Sequence, residues 1–164
     1  MARIFIAIRF NDDVKNTFVN IQNALRTKGV RGNYCPYNNL HLTLAFIGEK
    51  YDLQNIYKAV SEVTFKPFTM TLGELGTFST KTGVIWYGIK EKEPVTTVAN
   101  KLRERLAAND VGFCAMTFYP HISLVRQPST IVTDIDVPET SITVDRLFVM
   151  KSERIDGELV YSEI

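Results

Sequence analysis

The order strand, helix, histidine-bearing strand occurs twice in this chain, and few folds accommodate such a repeat. The run Arg3-Ile4-Phe5-Ile6-Ala7-Ile8-Arg9 aligns with Val84-Ile85-Trp86-Tyr87-Gly88-Ile89-Lys90; both are apolar and both end on a basic residue. A helical stripe of period 3.6 follows each run. It is Val14, Phe18, Ile21 and Leu25 in the first copy and Val95, Ala99, Leu102 and Leu106 in the second. Asn11 suits the cap of the first helix and Pro94 the first turn of the second, while Gly29 and Gly112 mark the exits. Each copy then closes on a short strand. These are His41-Leu42-Thr43-Leu44 and His121-Ile122-Ser123-Leu124, stopped by Gly48 and Pro128. The repeat units run over about 2–48 and 83–128, and they predict two similar lobes within a single domain of 164 residues.

Beyond the repeat units the halves diverge. Leu53, Ile56, Val60 and Val63 put a helix over Asp52 to Val63, whereas Thr130 to Pro138 carries no such pattern. Strands are expected at Phe68 to Leu75 and at Ile142 to Met150. Asp156-Gly157 is a hairpin signal that makes Leu159 to Ser162 the last strand. The expected class is α+β, with two mostly antiparallel sheets and helices on one side of each.

Charge and composition exclude some functions. A net charge of +1 does not suit a protein that coats long nucleic acid by counterion release, although a short RNA end or a nucleotide remains within reach of a local basic site. The N-terminal apolar run is too short for a signal peptide, Arg9 interrupts it, and no stretch reaches membrane-spanning length. A cytoplasmic protein without membrane association is expected, with Cys35 and Cys114 as free thiols. Two Cys and two His form a formal zinc set, but the short chelating spacings are missing. No metal and no cofactor is expected.

The chain has only two histidines, and both stand in the repeated phrase. Side chains alternate along a strand, so His41 and Thr43 share one face while Leu42 and Leu44 share the other. The same holds for His121 and Ser123 against Ile122 and Leu124. With the leucine faces in the core, both polar pairs meet across one cleft. One neutral imidazole can then take a proton from an attacking water while the other, protonated, delivers one to the leaving oxygen. Thr43 and Ser123 can donate to the non-bridging phosphate oxygens. Tyr34 and Tyr119 flank the phrases and are candidates to stack on a base, with ordinary packing as the alternative. Phe46 shares the parity of Leu42 and Leu44, which places it in the core. Lys28 and Arg31, in the loop after the first helix, are either RNA phosphate contacts or a solvated basic loop. Strict alternation points Arg126 away from the cleft, and only a bulge or an early end to the strand brings it round.

The blocks Asn39-Leu40-His41-Leu42-Thr43-Leu44-Ala45-Phe46-Ile47-Gly48-Glu49 and Tyr119-Pro120-His121-Ile122-Ser123-Leu124-Val125-Arg126 resemble the paired motifs of the 2H phosphoesterase superfamily. The likeness is nearest to its RNA 2′,3′-cyclic phosphodiesterases, also called 2′-5′ RNA ligases, and it runs nearly end to end. The resemblance implies a bilobal, pseudo-two-fold fold with a central cleft. It also implies metal-independent hydrolysis of RNA 2′,3′-cyclic phosphate ends, or of nucleotide 2′,3′-cyclic phosphates, to 2′-phosphates by a monomer, with 2′-5′ RNA ligation as an accompanying activity. It makes His41 the acid, His121 the base and Arg126 a phosphate-binding arginine. Two departures stand out: Ser123 where threonine is commoner, and Asn38-Asn39 where an acidic residue is usual. The alternatives are the same fold acting on 2′-5′ oligonucleotides or small cyclic nucleotides, and an RNA-end binding module without turnover.

Overall fold

The computed structural model describes residues 2–78 and 83–164. Its strands are β1 (Arg3–Ile8), β2 (Asn33–Tyr34), β3 (Leu42–Gly48), β4 (Phe68–Phe78), β5 (Val84–Ile89), β6 (His121–Arg126), β7 (Thr140–Val144), β8 (Phe148–Ile155) and β9 (Glu158–Glu163). Its helices are α1 (Asp12–Thr27), α2 (Leu53–Ser61) and α3 (Glu93–Ala108). Helix starts obey local chemistry. Asn11 Oδ1 accepts from the Val14 amide at 3.0 Å, Asp52 Oδ1 accepts from Gln54 at 2.9 Å, and Pro94 occupies the first turn of α3.

The exits of α1 and α3 match each other, but not through the expected residue. Val30 N–H reaches Leu25 O at 3.1 Å and Val111 N–H reaches Leu106 O at 2.9 Å. The left-handed residue inside each turn is Gly29 (φ 83°) in one case and Asp110 (φ 59°) in the other. Gly112 plays no such part, because aspartate tolerates the left-handed region well enough to close the helix two residues earlier.

Two antiparallel sheets carry the chain, ordered β3-β1-β8-β9 and β2-β6-β5-β4-β7. Without β2, the second order mirrors the first. The stretch read as one strand from Ile142 to Met150 is two: β7 in the second sheet and β8 in the first. Apolar alternation cannot show this crossing, because β4, β7 and β8 each present a half-buried face that would suit either sheet. Register refines the repeat as well. Ile6 faces Ala45 and Ile85 faces Val125, so Ile6 corresponds to Ile85 rather than to Tyr87; this two-residue slip keeps every side chain on its expected face.

Ile4, Ile6 and Ile8 of β1 and Ile85, Tyr87 and Ile89 of β5 join Leu42, Leu44, Ile122 and Leu124 in one core that also takes in the apolar stripes of all three helices. Each long helix reaches the other repeat's strand. From α1, Gln22 donates to Leu124 O on β6 at 2.9 Å, and Phe18 packs against Tyr87 at 5.7 Å. From α3, Arg103 donates to Leu44 O on β3 at 3.3 Å. No helix among the described residues is long and apolar enough to cross a membrane.

Candidate active site

Both histidine strands carry a bulge at the same place. Ala45 pairs with Ile6 and Thr43 with Ala7, leaving Leu44 as an extra residue; Val125 pairs with Ile85 and Ser123 with Trp86, leaving Leu124 extra. Leu44 and Ala45 are both buried, as are Leu124 and Val125, so two neighbours in sequence face the core. Alternation resumes with reversed parity. Phe46 therefore joins His41 and Thr43 on the cleft face, 41% exposed instead of in the core. By the same flip Arg126 joins His121 and Ser123.

His41, Thr43, His121, Ser123, Arg126 and Tyr34 line one cavity of about 370 Å³, together with Asn33, Cys35, Asn39, Arg154, Leu159 and Tyr161. Tyr119 is placed differently. Its ring does not line this cavity but packs against Phe78 and Trp86 at 5.8 and 5.3 Å, with Lys92 over it at 5.6 Å. Its carbonyl, however, orients His121. A second bay of about 750 Å³ shares His41, Thr43, Arg126 and Arg154 and extends over Arg3, Phe5, Phe46, Glu49 and Glu153.

The two imidazoles are held alike. His41 Nδ1 lies 2.6 Å from Asn39 O and His121 Nδ1 lies 2.7 Å from Tyr119 O. A carbonyl can only accept, so each Nδ1 carries the proton and each Nε2 keeps its lone pair. Thr43 Oγ1 donates to His41 Nε2 at 2.6 Å. The rings rest on aromatic walls: Phe5 and Tyr161 at 4.8 and 5.2 Å for His41, and Phe78 and Trp86 at 4.8 and 6.4 Å for His121. Trp86 in turn lies flat across Gly76 and Gly88, where an added Cβ would come within 2.3 and 2.5 Å of the indole.

Burial sets the electrostatics. It pushes His41 down to about 4 against the pull of the Asn39 carbonyl, and the charges of Arg126 and His121 lower it further. Burial also lowers His121, again with Arg126 adding to the effect. Both shifts favour the neutral imidazole in the free protein. Burial raises the Cys35 thiol to about 11, so it is no nucleophile. Cys114 lies outside the cavity lining, and among the described residues no three His, Cys, Asp or Glu side chains come together as a metal set.

Three residues of the cavity carry little sequence signal. Asn39 is 5% exposed; its side chain donates to Leu159 O at 2.9 Å while its carbonyl holds His41, so the Asn38-Asn39 departure ties the β8–β9 hairpin to the first imidazole. Arg154 and Leu159 come from that hairpin, far along the chain from either motif. Only the pairing of β8 with β1 brings them near.

Two imidazoles and an arginine line one cavity on a pseudo-symmetric pair of sheets, an arrangement that can hold an anion between two proton-transfer groups. Residues 15–156 match the family described as the 2′-5′ RNA ligase superfamily, and the chain belongs to it. It is 29% identical over 163 residues to the RNA 2′,3′-cyclic phosphodiesterase of Thermotoga maritima, covering 92% of this chain and 86% of that one. It is 35% identical over 109 residues to the protein of the same name from Archaeoglobus fulgidus, covering 63% and 61%. Among solved structures it resembles E. coli LigT complexed with 3′-AMP, with TM-score 0.82 and 25% identity over 99% of this chain and 94% of that one.

Proposed function

We propose that this protein is an enzyme that opens the 2′,3′-cyclic phosphate of an RNA 3′ end to a 2′-phosphomonoester, with His41 and His121 as the proton-transfer pair and no metal ion in the reaction. The observation that carries the reading is the matched pair of Nε2 lone pairs lining one cavity with Arg126. The names of the curated relatives supply the substrate class.

His121 Nε2 takes a proton as the water oxygen attacks phosphorus. The P–O3′ bond breaks in line, and His41, protonated, delivers its proton to O3′, leaving a 2′-phosphate and a free 3′-hydroxyl. Burial favours the neutral form of both rings in the free protein, so the bound anionic substrate must raise the affinity of His41 for a proton taken from solvent. Arg126 presents a planar fork to the non-bridging oxygens, where charge concentrates in the transition state, with Thr43 and Ser123 as further donors. A 5′-hydroxyl in place of water would give the 2′-5′ ligation.

The test is turnover in excess EDTA of a short RNA ending in a 2′,3′-cyclic phosphate, with the product phosphate located. Conversion to a 2′-phosphate is expected, with losses of about 10²–10⁴-fold in kcat for His41→Ala and for His121→Ala. A folded wild type that binds the RNA without turnover would sink the reading.

A further inference from the structure

Resting on the RNA-end reading, we infer that the nucleotides preceding the cyclic phosphate leave the cavity past Tyr34 and lie in a basic groove between the end of α1 and β2, with their phosphates against Arg26 and Arg31. Tyr34 lines the histidine cavity and also a groove formed by Arg26, Gly29, Val30, Arg31 and Gly32. The two spaces are therefore neighbours across one side chain. Neither has a carboxylate in its lining, whereas the second bay on the far side of His41 contains Glu49 and Glu153. A polyanionic strand is favoured more by the carboxylate-free groove than by the second bay, where Glu49 and Glu153 offset part of the charge of Arg3, Arg126 and Arg154.

The cations of this groove are unneutralised. Arg3, Arg9, Arg105 and Arg146 each pair with a glutamate. Among the described residues no carboxylate lies within ion-pair distance of Arg26, Lys28 or Arg31, and all three are exposed. The guanidinium of Arg26 stacks on the Tyr34 ring at 4.0 Å, and the Tyr34 hydroxyl donates to Val30 O at 2.6 Å, so the ring and the charge above it are held together.

The groove is also fixed to the catalytic strand. Asn33 pairs with Arg126 and Tyr34 with Val125, making β2 an added edge strand beside β6. The Arg31 amide donates to Ser129 Oγ at 2.8 Å, and Asn33 Nδ2 donates to Gln127 Oε1 at 3.0 Å. Gly32 lets the two backbones close: a Cβ there would meet Arg126 O at 2.9 Å. Such a platform binds single-stranded RNA without reading sequence, by phosphate charge and an aromatic face.

The experiment compares a nucleoside 2′,3′-cyclic monophosphate with an oligoribonucleotide bearing the same end, in wild type, in Arg26→Ala/Arg31→Ala and in Lys28→Ala/Arg31→Ala. The first double variant is expected to lose about tenfold in kcat/KM on the oligomer through KM, and less than about twofold on the mononucleotide. The slope of log(kcat/KM) against log[salt] for the oligomer should flatten by about 1.4, two single-strand phosphate contacts. Equal losses on both substrates would mean that Arg26 only supports the fold and would overturn the groove, as would an unchanged oligomer. The Lys28→Ala/Arg31→Ala variant leaves the Arg26–Tyr34 stack in place, removes one groove arginine and a lysine beside the groove, and must show the same substrate-selective loss in smaller degree. If wild type turns over neither substrate, the phosphodiesterase reading fails. The groove is then decided by anisotropy with a 2′-phosphorylated oligomer: weaker binding in the variants supports it, and unchanged binding overturns it.

Discussion

His41 keeps its lone pair on Nε2 because the Asn39 carbonyl claims the Nδ1 proton, and it stays neutral because it is enclosed by Phe5, Tyr161 and Thr43. The same burial makes the fold sensitive to acid. The folded imidazole titrates near 4 against an ordinary value of 6.5, so the unfolded chain binds the extra proton between those limits. Stability contributed by the neutral ring is intact above pH 6.5 and is lost as pH falls through 4, by up to about 3 kcal/mol. Urea unfolding at pH 7 and pH 4.5 should show His41→Gln losing less of its own stability than wild type does; parallel losses would contradict the burial argument. Arg126 makes a different prediction. Arg126→Met should lower kcat/KM by about 10²–10³-fold on a cyclic phosphate, and Arg126→Lys should recover only part of it, because an ammonium supplies charge without the fork. Steady-state kinetics with unchanged melting temperatures would separate this from a folding defect.

Among the elements, the bulges of β3 and β6 decide what the cleft contains. Histidine and hydroxyl positions were legible because they precede the bulge, where alternation holds, and Leu44 and Leu124 keep their core face at the bulge itself. Phe46 and Arg126 follow it, and the one-residue insertion reverses their faces. Each bulge is held from outside its own strand. The Leu124 carbonyl accepts from Gln22 Nε2 and from the Cys35 amide, both at 2.9 Å, and the Leu44 carbonyl accepts from Arg103. Gln22 is 3% exposed and also bonds Cys35 O at 2.9 Å. Gln22→Leu should therefore cost about 1–3 kcal/mol in urea unfolding, because Cys35 O loses its Gln22 donor and Leu124 O keeps only the Cys35 amide. It should also lower kcat/KM, because the bulge that aims Arg126 loses a clamp. A stable variant with full activity would show that the strand alone maintains the bulge.

In the whole molecule, neither repeat unit holds a complete sheet or keeps its helix to itself. The first sheet needs β8 and β9 from the end of the chain, and the helices bond to each other's strands. A chain ending at residue 145 keeps both histidine motifs but leaves β1 paired only with β3, and a two-stranded remnant does not hold a core. Circular dichroism and thermal melting of that truncation should show no cooperative transition; a cooperative melt would mean that the second sheet folds alone.

The sequence by itself determined the local order: the repeated strand and helix periodicities, the caps at Asn11 and Pro94, the hairpin at Asp156-Gly157, and the pairing of both histidines with a neighbouring hydroxyl. Each is set by residues within a turn or two, where period and propensity act. Only the tertiary structure decided which sheet received β4, β7 and β8, that the strands bulge at Leu44 and Leu124, and that Arg126, Arg154 and Asn39 share a cavity with the histidines. Those outcomes depend on partners distant in sequence. A half-buried strand fits either sheet until its neighbours are in place, and a bulge exists only against the strand it is paired with.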